Sequence, residues 1–169
     1  MKHVQTESHP EYKSAAVSAD DDAIVARAIA ILSARLPKTK GEQVTSPRIA
    51  RKLAWILCQS RDPLSETFGV IYLTTQHVVL AAEIASTGTI DGASVHPREI
   101  VRRALSLGAS AVICCHNHPS GVPTPSPADE VLTSRLRDAL ALIDVRLLDH
   151  IVCGSIPEES VSMAEHGLV

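Results

Sequence analysis

The sequence predicts one layered α/β domain built on a β-sheet of mixed direction. Three observations carry that prediction. Hydrophobic periodicity changes along the chain in the order helix–helix–β–β–helix–β–helix–β, as expected for helices packed on a sheet. The 169 residues suffice for a single domain with a sizeable core. Finally, 45% of residues are apolar but the aromatics are only Tyr12, Trp55, Phe68 and Tyr72, so the core must be aliphatic.

Residues 1–22 are polar, close on Asp20-Asp21-Asp22, and read as a disordered tail with too little apolar surface to pack. Asp22 is a plausible N-cap for a helix from Ala23 to Leu36, stopped by Pro37. Its apolar residues (Ile24, Val25, Ala28, Ile29, Ile31, Leu32) run nearly all round. Such a helix is expected to be buried, against the domain or against a second copy in a homodimer. A polar linker follows, so 23–45 reads as an N-terminal helix and linker ahead of a main domain at 46–169.

Ser46-Pro47 opens the next helix as N-cap and first residue, and Asp62-Pro63 ends it. Ile49, Leu53, Ile56 and Leu57 share its apolar side, while Arg48, Arg51 and Lys52 form a solvated face. Strands are expected at Thr67 to Leu73 and Val78 to Ala85, joined as a hairpin, with Gly88 and Gly92 marking a loop. His96-Pro97 begins a helix reaching Leu107, capped by Gly108. A strand from Ser110 to Cys115, a helix from Pro127 to Leu142 with Ser126 as N-cap, and a strand from Val145 to Val152 follow. A short strand at Ser160 to Met163 completes the prediction.

A net charge of -3 provides no electrostatic footprint for autonomous nucleic-acid binding. The cysteines (Cys58, Cys114, Cys115, Cys153) form no C-x-x-C, and three lie in apolar runs, which predicts a reduced, cytoplasmic setting. Met1 to Glu7 lack the apolar core of a signal peptide, and no stretch is long enough to span a membrane.

The chemistry gathers where the strand at 110–115 ends in His116-Asn117-His118 and a Pro/Gly/Ser-rich loop. Imidazoles two residues apart share a face if the backbone is still extended, and Asp129 can fold back across the loop to meet them. A catalytic zinc takes three protein ligands and keeps one position open, and no cysteine is spaced to close a fourth. Two neutral imidazoles and a carboxylate leave a Zn2+ complex positive, able to polarise a carbonyl and acidify bound water. Asp129 falls in the first turn of its helix, where the dipole favours the ionised form. The contiguous letters His-Asn-His do not indicate an HNH nuclease, whose residues are dispersed over a ββα unit.

The pattern His-x-His, seven residues, Ser, two residues, Asp resembles the JAMM signature of MPN-type metalloproteases. The full run from His116 to Asp129 resembles the bacterial RadC family, as do Val95-His96-Pro97-Arg98-Glu99 and Leu147-Leu148-Asp149-His150. The resemblance spans roughly 46–169. It implies a cytidine-deaminase-like mixed sheet sandwiched by helices, with one zinc on His116, His118 and Asp129.

It also implies a glutamate just ahead of the first core strand that holds the metal-bound water and acts as general base. Glu66, opening Glu66-Thr67-Phe68-Gly69-Val70-Ile71, is similar to that stretch. Glu83 is the alternative base, although its mid-strand position reads equally as a surface charge. Ser126 resembles the family serine that helps hold a developing oxyanion, and an N-cap role accounts for it equally well. His96, Asp149 and His150 match RadC text and are assigned structural or supporting roles.

RadC proteins usually carry an N-terminal helical region similar to helix-hairpin-helix DNA-binding modules. The residues before 46 show neither a Gly-rich hairpin nor a basic cluster, so the expectation is the metal domain nearly alone. The expected function is a zinc-dependent metallopeptidase or isopeptidase acting on a peptide or isopeptide substrate. The alternatives are a non-catalytic MPN interaction module and a RadC-like protein acting on nucleic acid in repair or anti-defence.

Overall fold

A computed structural model describes residues 40–59, 65–88 and 95–169, together with Ala23, Ile24, Arg27, Ala28 and Ile31. The tail at 1–22, most of the first predicted helix, and the loops at 60–64 and 89–94 lie outside the described residues. The five described positions between 23 and 31 are helical and exposed. At those positions the chain alone therefore does not bury the first predicted helix.

Helix α1 (Pro47–Cys58) starts where the Ser46-Pro47 signal places it, with the Ser46 hydroxyl accepting from Ile49 N at 3.4 Å. It ends before Asp62-Pro63, with Gln59 as C-cap. Strands β1 (Glu66–Leu73) and β2 (Val79–Gly88) form the antiparallel hairpin. Its tip carries no Asn-Gly because His77 takes the left-handed conformation (φ 58°), and Thr74 Oγ1 accepts the N–H groups of Gln76 and Val78. Helix α2 (Pro97–Leu107) is closed by Gly108 at φ 62°, a backbone that suits glycine. Strand β3 (Ala111–Asn117), helix α3 (Pro127–Ala141) and strand β4 (Arg146–Cys153) make a parallel crossover unit. A 3-10 turn (Pro157–Glu159) and a short β5 (Val161–Ser162) follow.

The sheet order is β2-β1-β3-β4-β5, antiparallel except between β3 and β4, so the predicted mixed direction is observed. The end of the predicted linker joins this sheet: Gly41 N donates to Val79 O, Val79 N to Glu42 O and Val44 N to His77 O, each within 2.9 Å.

Side-chain alternation on β1 and β3 sorts the core into two layers. Leu53, Ala54, Leu57 and Cys58 of α1 cover Ile71, Leu73, Ala111, Ile113, Cys115, Ile151 and Cys153. On the other face, α2 and α3 bring Ile100, Ala104, Leu136 and Leu140 onto Phe68, Val70, Tyr72, Val112 and Cys114. Central strands buried on both faces explain the nearly continuous apolar runs in the sequence. Gly69 lets α1 approach β1, since a Cβ there would lie 2.6 Å from Leu57 Cδ2. Among the described residues no helix is long and apolar enough to cross a membrane.

Candidate metal centre

Strand β3 runs two residues beyond the predicted end at Cys115, so His116 and Asn117 are still extended. His116 is buried on the α2/α3 side, whereas Asn117 points to the α1 side. His118 follows directly, and its loop returns into α3 through Ser126. Ser126 and Asp129 form a reciprocal capping box: Ser126 N donates to Asp129 Oδ2 at 2.7 Å and Asp129 N to Ser126 Oγ at 3.2 Å. The cap aims the Asp129 carboxylate back at the strand end.

Three side chains meet there. His116 Nε2 lies 2.9 Å from His118 Nε2 and 3.2 Å from Asp129 Oδ1, and His118 Nε2 lies 3.5 Å from Asp129 Oδ2. These residues form the one group among the described residues whose ligand atoms lie close enough together to hold a metal ion. A tetrahedral ion with bonds of about 2.0–2.1 Å holds its ligand atoms about 3.3 Å apart, so the spacing fits.

The hydrogen bonds reaching the rings from behind decide where their protons sit. His118 Nδ1 faces the carbonyl of Val122 at 2.8 Å, and a carbonyl only accepts, so Nδ1 carries the proton. Thr133, four residues after Asp129 on α3, donates its hydroxyl to Asp129 O at 2.6 Å. With that proton committed, His150 Nδ1 donates to Thr133 Oγ1 at 2.6 Å, and neutral His150 accepts from His116 Nδ1 at Nε2, 2.9 Å away. Burial, together with the neighbouring His116, pushes the His150 pKa down to about 3, so the ring is neutral. Both Nε2 atoms therefore face the centre as lone pairs beside a carboxylate. Three acceptors converging within hydrogen-bond distance repel one another unless a cation lies between them.

Asp129 is suited to supply charge. Burial alone would raise its pKa, but the Ser126 N–H and hydroxyl both donate to its carboxylate and favour the ionised form. Phe68, paired with His116 across β1 and β3, stacks 9° from parallel on His116 and meets His150 edge-on at 5.3 Å. It forms an apolar wall against the two buried rings.

Glu66 opens β1. The ladder pairs Phe68 with His116, and continuing its register brings Glu66 level with His118. Glu83 instead sits on β2, opposite Val70, in a two-armed ion pair with Arg103 of α2, with Arg103 Nε donating at 2.8 Å. It is not part of the ligand group. Ser126 Oγ donates to Asp129 Oδ2 at 2.6 Å, so its hydroxyl proton serves the candidate ligand, which agrees with the capping reading.

Of the residues matched upstream and downstream, His96 occupies the N-cap position of α2 without a side-chain capping bond. Asp149 ties β4 to the chain end, accepting from Ser162 Oγ at 2.7 Å and Ala164 N at 3.1 Å. Thr133 and Asn117 were not singled out from the sequence. The only sequence signal for Thr133 was its i+4 spacing from Asp129 on one helix face.

A helix–sheet–helix sandwich with two histidines at a central strand end and an aspartate on the next helix describes the JAB, or MPN-type, class of domains. The family model described as RadC-like JAB domain matches residues 44–168, and the chain belongs to this RadC family. A UPF0758 protein of Thioalkalivibrio sulfidiphilus is 52% identical over 130 residues, covering 77% of this chain and 56% of that protein. UPF0758 proteins of Stutzerimonas stutzeri and Vibrio cholerae are 53% identical over 122 residues and 48% identical over 130 residues. These alignments cover 72% and 77% of this chain, and 53% and 56% of those proteins. The chain thus spans about half the length of the curated relatives it matches.

Proposed function

We propose that this domain is a zinc-dependent hydrolase of the metallopeptidase or isopeptidase type, with His116, His118 and Asp129 as ligands and Glu66 as general base. The observation that carries the reading is the convergence of two imidazole lone pairs and an ionised carboxylate with metal-ligand spacing. Three ligands suit a catalytic rather than a closed structural zinc. When bound there, zinc supplies Lewis-acid polarisation of a carbonyl and acidification of water.

The chain's own residues divide the remaining work. Glu66, at the level of His118, takes a proton from the attacking water and returns it to the leaving amine. Ser126 keeps Asp129 ionised and aimed. The oxyanion role expected for it would require its hydroxyl to turn away from Asp129 Oδ2. Phe68 keeps water from the buried side of His116.

The four cysteines are free and buried, which supports a reducing, cytoplasmic setting. Ile24 and Ile31 are 66% and 46% exposed, which supports the homodimer expectation, and sedimentation of the chain tests it.

The test of function is metal analysis of the purified protein beside Glu66→Gln, followed by profiling of both against peptide and isopeptide libraries. The expected result is one zinc per chain in both proteins and cleavage only by the unmodified one. Absence of stoichiometric zinc at neutral pH sinks the reading, and cleavage that survives Glu66→Gln moves the base elsewhere.

A further inference from the structure

We infer that His150 and Thr133 are positioning residues that dictate which nitrogen of His116 faces the metal and link His116 to Asp129 by one hydrogen-bonded chain. This inference rests on the metal reading above. The hydrogen bonds run from His116 Nδ1 to His150, from His150 to Thr133, and from Thr133 to the carbonyl of Asp129. Every proton in them points the same way, from His116 toward Asp129. The last acceptor is a carbonyl, which cannot donate, and this sets the polarity of the whole chain.

The consequence lies at the far side of His116. Its Nδ1 proton is held by His150, so Nε2 is left bare toward His118 and Asp129. The opposite tautomer would put a proton on Nε2, where the ion must bind. Solvent does not relax this choice, because His150 and Thr133 are fully buried and His116 is 1% exposed.

The parts come from three elements. Strand β4 sets His150 beside Cys114, one pleat away from His116 on the same face; α3 supplies Thr133 one turn after Asp129; and the Phe68 edge limits the His150 ring. The two histidine ligands are treated differently. His118 is oriented by a backbone carbonyl, which no substitution removes, whereas His116 depends on a side chain. Of the two histidines, altering His150 therefore acts on His116 and leaves the His118 contact in place.

The experiment compares the unmodified chain with His150→Leu, His150→Gln, Thr133→Val and Thr133→Ser. One readout is zinc affinity, by competition with a chromophoric chelator. The other is long-range 1H–15N spectra of the metal-free imidazoles at mildly alkaline pH. His150→Leu removes the acceptor for His116 and should weaken zinc about 10- to 100-fold, with His116 shifting toward the Nε2–H tautomer. His150→Gln keeps one acceptor and one donor in line and should stay within about threefold of the unmodified chain. Thr133→Val should weaken zinc about tenfold and Thr133→Ser should restore it.

Folded His150→Leu and Thr133→Val proteins with unchanged affinity and unchanged His116 tautomer overturn the inference. Should His150→Leu fail to fold, the Thr133 pair decides by the same readouts. An unmodified chain that binds no zinc defeats the metal reading instead, and the tautomer spectra of the metal-free proteins then decide the positioning role by themselves.

Discussion

Asn117 accepts the backbone N–H of Thr67 through Oδ1 at 2.9 Å. Its Nδ2 donates to Ser65 O at 3.1 Å, so one amide holds the backbone on both sides of Glu66. The residue between the two histidines thus faces away from the candidate metal centre and fastens the start of β1. The proposed base and the proposed ligands are joined through a single side chain.

Asn117→Ala is therefore expected to leave the Thr67 N–H buried without its partner and to lower stability by about 1–3 kcal/mol. Zinc stoichiometry should not change, because no proposed ligand is touched, while the proposed Glu66-dependent hydrolysis should fall. Urea melts with metal analysis check this; an unchanged midpoint would deny the clamp.

Ser126→Ala removes the cap of α3 and a donor to Asp129 Oδ2. A stability loss of about 1 kcal/mol is expected from the cap, with weaker zinc binding because Asp129 is no longer held in place. Chelator competition on Ser126→Ala, beside Asp129→Asn as the ligand-loss reference, measures the second effect. Zinc affinity equal to the unmodified chain would restrict Ser126 to the helix.

Zinc binding to the folded state alone should raise the melting temperature. At 100 times the dissociation constant the gain is about 2.7 kcal/mol. A chelator should reverse it, and His118→Ala should abolish the shift. Calorimetry with and without zinc makes the comparison, and an equal shift in His118→Ala would move the ion to other residues.

For the metal-free protein, the depressed pKa of His150 sets the sign of a pH effect. The unfolded ring binds a proton below about 6.5, whereas the folded ring resists until about 3. The unfolded state therefore holds more protons within that window. The contribution is fully present above pH 6.5 and is lost as pH falls toward 3, by at most about 1.4 kcal/mol per pH unit. Denaturant melts across the window should flatten in His150→Gln; identical slopes would deny the assignment.

Gly69→Ala should destabilise by about 1–3 kcal/mol through overpacking against Leu57, which a Cβ would approach to 2.6 Å. The close approach is on the α1 face, opposite His116, so zinc affinity should hold. A stable variant would show that α1 shifts more easily than its packing implies.

Much of this protein was legible before folding because its signals are local. Ser46-Pro47, Gly108 and Ser126-Pro127 mark helix ends through backbone chemistry confined to one turn, and each is found where expected. The meeting of the three candidate ligands was legible because strand parity and a helix cap act over a few residues. Helix α1 ends at Cys58 with Gln59 as C-cap, a few residues before the Asp62-Pro63 stop signal in the sequence.

Local residue chemistry determined the α/β class, most element positions and the identities of His116, His118 and Asp129 as candidate ligands. The tertiary structure alone decided what stands behind them. His150 reaches His116 because β4 pairs in parallel with β3 across 34 residues, and Asn117 reaches Thr67 because β1 lies antiparallel to β3 across 50. Such contacts depend on sheet order and register, which no short stretch of sequence specifies. Register turned a pair of histidines at a strand end into an oriented, hydrogen-bonded centre.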